Sequence, residues 1–413
     1  MRNYHFFFIS IISILFSSCS NQTDEISQWR GDNRAGVFNE SDLLKQWPDE
    51  GPELLWAFEG IGEGYGSAVE YKNVVYVNGE SDSLSHLFAF NQEGELLWKT
   101  PNGPEYFGEG FAAGFPGTRT TPTIYKNMAY VSSTLGRIAC IDIKTGKEIW
   151  SRHMEIDFDG RMGYFGFGES LLVDSEKVYC MPGGIKNNML ALNRFTGETL
   201  WSSNGMADVA GYSAPVKINM PERDLVLTMS KEVLLAFDAN NGELLWHIKE
   251  DSVTQDGKYC NPPIFDNGIL YCIAGIEKGS GAYALKLNND GSAFTKIWEN
   301  PAVKNEFNGF VKAGDKLFVT GKDNRLRSLN AQTGEVLDSI RGLRGSIVMA
   351  DNMIFCYNDN GTVNLLDLNE EKLEIASRFR IQKGTKEHFA HPTIHDGKMY
   401  IRHGNALMAY KVK

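Results

Sequence analysis

Between Glu53 and Lys413 short apolar runs and polar turns follow one another in a set order, and that order recurs eight times. The clearest copy, Thr121 to Trp150, holds an apolar run, a polar turn, a run with an aromatic, a loop, a run with a small residue, an Asp/Asn-x-x-Thr/Asn-Gly turn and a run ending in Trp. Alternation with period two predicts strands, each turning one face to a neighbouring sheet. An aromatic marks the second strand at Tyr76, Tyr130, Tyr179, Tyr271, Phe318, Phe355 and Tyr400, with Leu227 in the remaining copy. A small residue marks the third at Ala89, Cys140, Ala191, Ala236, Ala284, Ser328 and Ala409, with Leu365 the exception. Trp marks the fourth at Trp98, Trp150, Trp201 and Trp246, four residues after the turn glycine, and Trp298 continues the series. The glycine supplies a positive φ, the preceding Asp or Asn caps the turn, and Trp covers the widening gap at the outer edge. A repeat of about 40 to 50 residues with four strands predicts an all-β fold, an eight-bladed β-propeller of four-stranded antiparallel blades.

The last copy, His391 to Lys413, has three strands. Glu53-Leu54-Leu55-Trp56 repeats Glu95-Leu96-Leu97-Trp98 and Glu243-Leu244-Leu245-Trp246. This N-terminal strand, Glu53 to Trp56, is predicted to complete the last blade and close the ring, so that only short strand edges remain. Residues 29–413 are assigned to one propeller domain, because the repeat overrides the length prior.

The first residues read as targeting. Arg2 precedes the apolar run Phe6 to Phe16, and Phe16-Ser17-Ser18-Cys19 offers a small-residue cleavage site. The run is too short for a stable bilayer anchor. Cys19 there resembles the lipobox of bacterial lipoproteins, with Phe16 where Leu is usual; an ordinary secretory signal is the other reading. The expected organisation is a signal peptide over 1–18, a lipidated Cys19 with its tether over 19–28, and export to the bacterial cell envelope as an outer-membrane lipoprotein on the periplasmic or the surface face. Charge then removes one class of partner: 52 acidic against 41 basic residues, net −11, without a basic cluster, excludes nucleic acid. Cys180, Cys272 and Cys356 follow the strand-two aromatic and Cys140 holds the small-residue column, so these four are expected as buried hydrophobes, unpaired. Cys260 stands at a loop-to-strand junction.

The blade wording resembles the pyrroloquinoline-quinone (PQQ) repeat of quinoprotein dehydrogenases and of the outer-membrane assembly lipoprotein BamB. The opening Trp29-Arg30-Gly31-Asp32-Asn33-Arg34-Ala35-Gly36 and Leu44-Lys45-Gln46-Trp47-Pro48 resemble a group of secreted PQQ-binding-like propellers more closely. The resemblance implies the fold over nearly the whole mature chain and leaves activity open, since the same repeat serves catalytic and non-catalytic proteins.

In such a ring the loops entering the inner strands open on one face around the axis. They place Tyr65, Arg119, Thr120, Glu169, Tyr212, Ser213, Asn261, Asn308, Arg344 and His391 around a funnel, as ligand groups or as partners for inner-strand backbone. Two long loops, 101–117 and 151–168, carry Tyr106, Phe107, Phe111, Phe115, Phe158, Tyr164, Phe165 and Phe167 between glycines. Such aromatics suit a sugar ring, a quinone or an unfolded peptide, or else fold back as a small core. His388-x-x-His391, with His395 and His403, lacks the Cys or carboxylate that a metal site needs at that spacing, and no metal is expected. Gly60-Ile61-Gly62-Glu63-Gly64-Tyr65-Gly66 precedes a strand rather than a helix, so it is no phosphate loop.

Three functions follow. The leading one is a non-catalytic envelope scaffold, anchored to the membrane by lipid, that binds an outer-membrane protein or a polysaccharide through its loops and funnel. The second, implied by the resemblance, is an alcohol or sugar dehydrogenase using PQQ and Ca²⁺. There Glu169 and Asn261 would be the metal's oxygen ligands, and Arg119 or Arg344 would meet the quinone carboxylates. Against it stand the absence of a vicinal Cys pair, of an Asp in the ring and of a Cys-x-x-Cys-His haem motif. The third is carbohydrate binding by the aromatic loops.

Overall fold

A computed structural model of the chain describes residues 26–249, 260–275, 281–368 and 372–413; Cys19 and the signal lie outside them. The three sequence columns come to lie side by side. In blade 2, Tyr130 pairs with Cys140 and Cys140 with Trp150. The same triad is Tyr76, Ala89 and Trp98 in blade 1 and Tyr179, Ala191 and Trp201 in blade 3. The small middle residue lets the two large rings meet across a strand, at centroid distances of 6.0 to 6.4 Å. Just beyond it the fourth strand carries a bulge against the third, for instance at Ile149, which is skipped between Glu148 opposite Ile141 and Trp150 opposite Cys140, and this sharpens the local twist.

Eight sheets form in this way, and the last is completed from the N-terminus. Leu54–Glu59 pairs antiparallel with Ala406–Lys411, with Trp56 opposite Ala409 and Ala409 opposite Tyr400. The core lies between neighbouring blades. One wedge joins Tyr130, Cys140 and Trp150 of blade 2 to Val178, Cys180 and Leu190 of blade 3. Cys140, Cys180, Cys272 and Cys356 are buried there. Trp56, Trp98, Trp150, Trp201 and Trp298 also sit on the turn glycine of the next blade: a Cβ on Gly197 would stand 2.7 Å from the Trp150 ring, at φ +70°. The Trp150 indole N–H donates to the Arg194 carbonyl of that same turn, 2.8 Å away. Blade 7 has no Trp of its own, and Trp47 arrives from the N-terminal segment to pack on Phe355 and Phe379 at 6.0 and 5.3 Å.

The long loops are shorter than the sequence suggested. The fourth strand of blade 1 runs on as Leu96–Pro104, and that of blade 2 as Glu148–His153, followed by a helix at Met154–Phe158.

The segment before Leu54 contributes what the repeat pattern does not show. Ile26–Ser27 pairs with the inner strand of blade 2, and Val37–Phe38 pairs in parallel with the inner strand of blade 7. The chain between them, Trp29 to Gly36, therefore turns inside the axial channel as a plug. Arg30, 2% exposed, is its pin. Its guanidinium donates to the carbonyls of Arg34, Ile347 and Phe310 and to His391 Nδ1, at 2.5 to 3.2 Å. Gly36 and Gly309 flank it so closely that a Cβ on either would fall within 2.2 Å of a guanidinium nitrogen. Burial pulls Arg30 down to about 9, which leaves it charged at neutral pH. A second buried arginine, Arg402, holds blade 8 to the glycine-rich loop by donating to the Gly62 and Gly66 carbonyls. The glycines of that loop serve this close approach: a Cβ on Gly64 would lie 2.4 Å from Arg402.

Candidate functional site

All eight loops that enter inner strands reach one axial funnel of about 390 Å³, and the plug's Trp29 lines it from below. Tyr65, Arg119, Tyr212, Arg344 and His391 come together on its wall, joined by Phe111, Phe115 and Phe165 from the aromatic loops. Phe307, Phe389, Glu306, Cys260 and Trp29 line it as well, and the sequence reading did not select them. Phe307 and Phe389 stand one and two residues before the selected Asn308 and His391. A two-residue window at the mouth of each inner strand would have found both.

The other selected residues serve the scaffold. Thr120 donates to the Ser132 carbonyl and accepts from the Asn78 amide. Asn261 spends its amide on Ile273 and Asn305, and its Oδ1 accepts the Gly309 N–H at 2.9 Å. Ser213 and Asn308 are buried away from the cavity wall. Glu169, 4% exposed, accepts the Met181 N–H at 3.1 Å and faces Arg34 of the plug. The aromatic loops split the same way. Phe158 and Phe167 are buried in the wedge between blades 2 and 3, where they were expected as loop contacts. Phe107, Tyr164 and Phe111 are exposed, Phe111 to 67%. Tyr106 ties the two loops together by donating to the Tyr164 carbonyl, 2.9 Å away.

The rings form a connected collar. Phe115 lies 5.2 Å from Phe111, 6.1 Å from Phe165 and 6.4 Å from Phe389, and Phe389 lies 4.8 Å from Phe307. Arg119 staples the collar from behind. It donates to the carbonyls of Phe165, Gly117 and Phe115, and its guanidinium stacks over Tyr65 and Phe165. Most polar groups of the wall are spent in this manner. Tyr65 donates to Glu387, Tyr212 accepts the Phe165 N–H, and Thr121 and Ser170 latch neighbouring blades. His391 accepts from Arg30 at Nδ1 and faces the Phe307 carbonyl with Nε2, so its partners select the neutral Nε2–H tautomer. Burial and Arg30 together hold it well below the usual histidine range. Arg344 differs: its Nε meets Asp359 at 3.2 Å, and its two terminal amino groups make no hydrogen bond among the described residues.

The residues expected to hold a Ca²⁺–quinone pair are not offered to the funnel, because Glu169 and Asn261 lie behind this wall, with Glu169 Oε1 and Asn261 Oδ1 accepting backbone N–H groups. The histidines near His391 in sequence are placed elsewhere: His388 stacks on His403 at 3.7 Å, and the exposed His395 pairs with Glu70 at 3.3 Å.

Glu169 gives a pH prediction. Burial pushes its carboxyl up to about 8, partly offset by the Met181 N–H and by Arg34. A folded value above the unfolded one favours the protonated form. That stability is complete below about 4.5 and is lost as pH rises through about 8. Glu169→Gln should match the wild type at pH 5 and exceed it by about 2–4 kcal/mol at pH 9 in denaturant melts. Equal stabilities at both pH values would refute the assignment.

A ring of eight four-stranded blades with a loop-lined axial funnel defines a PQQ-repeat β-propeller. Residues 83–339, well over half of the chain, match the family described as "Outer membrane protein assembly factor BamB", and the chain belongs to that family. Among curated relatives, BamB of Alkalilimnicola ehrlichii is 25% identical over 211 residues, 51% of this chain and 49% of that protein. The first such relatives are matched over 33 to 61% of their own length. Among solved structures, BamB from Moraxella catarrhalis aligns with TM-score 0.60 at 14% identity, covering 87% of this chain and 99% of that one. Quinohemoprotein alcohol dehydrogenase from Comamonas testosteroni aligns with TM-score 0.66, also at 14% identity, covering 92% and 79%. Both likenesses are of fold.

Proposed function

We propose that this protein is a non-catalytic scaffold of the cell envelope, exported and tethered by a lipid on Cys19, whose funnel holds an apolar or aromatic group of an outer-membrane polypeptide. The observation that carries the reading is the wall itself: a collar of rings most of whose polar groups are spent on one another, with the two terminal amino groups of Arg344 making no hydrogen bond among the described residues. Such a wall rewards burial of a flat or branched apolar body and places a negative group at Arg344. It offers few hydrogen bonds to sugar hydroxyls, which counts against a polysaccharide. Family membership supports an assembly role.

The test is calorimetry with short peptides ending in an aromatic residue and a free carboxylate. Phe115→Ala and Arg344→Ala should each weaken binding about tenfold, roughly 1.4 kcal/mol, and peptide amidation should reproduce the Arg344 loss. Saturable binding of PQQ only when Ca²⁺ is present, with no peptide binding, would refute the scaffold reading in favour of the dehydrogenase.

A further inference from the structure

The plug is a hairpin that enters the channel from the face opposite the funnel. Ile26 pairs with Tyr125, the last residue of the inner strand Thr123–Tyr125, whereas Thr121, just before that strand, lines the funnel. Trp29 reaches the funnel floor beside His391, with ring centroids 5.1 Å apart. The returning leg ends with Phe38 opposite Ala350, the far end of the inner strand Gly345–Ala350 that follows the funnel residue Arg344. Both legs therefore cross the far face near the axis, and any tether on the N-terminal side starts there.

We propose that this far face is apposed to the membrane and that the funnel opens away from it, so its apolar ligand arrives as a polypeptide from the aqueous side and not as an acyl chain from the bilayer. The proposal rests on the lipid anchor at Cys19. From Cys19 to Ile26 the chain has seven steps, about 25 Å at full extension. To turn the funnel toward the bilayer, the tether would have to pass three strand spacings outward, roughly 14 Å, and then climb the height of a six-residue strand, roughly 20 Å more. The tether is too short for that path. Charge does not compete with it. Lys72 and Lys126 on the far face stand among Glu40, Glu70 and Asp396, a mixed surface with no pull on anionic headgroups. Attachment should accordingly persist at high salt.

The test uses the full-length lipidated protein on vesicles carrying a headgroup-linked energy acceptor. In a Cys260→Ser background, where the other described cysteines are buried, a donor dye is placed at Asn127→Cys on the far face or at Phe111→Cys on the funnel rim. Energy transfer several-fold more efficient from position 127 than from 111, unchanged in high salt, is the expected result. Vesicle flotation with equal or reversed transfer overturns the orientation while the anchor stands. A chain that does not float and carries no lipid on Cys19 overturns the anchor, and the orientation with it.

Discussion

Arg30→Ala is expected to lower the stability of this protein by about 3–5 kcal/mol, a fall of about 5 °C in melting temperature for a chain of this length. The loss is large because the guanidinium is not a surface charge. It serves the carbonyls of Arg34, Ile347 and Phe310 and the ring of His391, all buried at the axis. Without it these acceptors stay buried and unpaired, and each costs about 1–3 kcal/mol before any relaxation. Arg30→Lys should recover little, since one ammonium cannot reproduce a planar fork with several separated acceptors. The same substitution should disturb the funnel floor, because Trp29 stands beside His391 and under the Arg30 guanidinium; a red-shifted tryptophan emission would report it. An Arg30→Ala protein that melts within a degree of wild type, with unchanged emission, would show that the plug is not a structural member.

The second large effect concerns ring closure. A chain beginning at residue 60 should lose at least about 5 kcal/mol and aggregate on concentration, because it lacks Leu54–Glu59, the outer strand of blade 8, together with the plug and Trp47. Trp56 alone fills the space between Phe90, Tyr400 and the Gly94 turn, and Trp56→Ala should account for about 3–5 kcal/mol of the loss. A peptide of residues 49–59 added in trans, which carries the closing strand without the plug or Trp47, should restore part of the lost stability if strand pairing is the cause. A truncated chain that melts like the full one would remove closure from the account of stability.

Both effects come from the N-terminal segment, and its two halves differed in how far they could be foreseen. The closing strand was legible because it repeats the blade wording letter for letter and because the last copy lacks a strand. The plug was not legible. Trp29 to Gly36 has no periodicity, and its arginines find their partners in blades 3, 6, 7 and 8, between 137 and 361 positions away. The funnel shows the same division. Arg119, Tyr65 and Arg344 were placed on the correct face by counting from the strand-two aromatic. Thr120, Glu169 and Asn261 were placed there by the same count, yet alternation within a strand turns a neighbouring residue from the cavity into the backbone. A count uncertain by one position cannot separate ligand groups from latches.

What composition and order alone established is the local and repetitive part: four strands to a blade, eight blades, the aromatic, small residue and Trp lying side by side, and the strand that closes the ring. These follow from periodicity and turn chemistry, which act over a few residues and are written again in every copy. The plug, the spending of Arg119 and His391 on the scaffold, the Trp47 ring lent to blade 7 and the donors left on Arg344 arose only when the ring brought distant segments to one axis. Burial and hydrogen-bond satisfaction there depend on partners that no window of sequence contains.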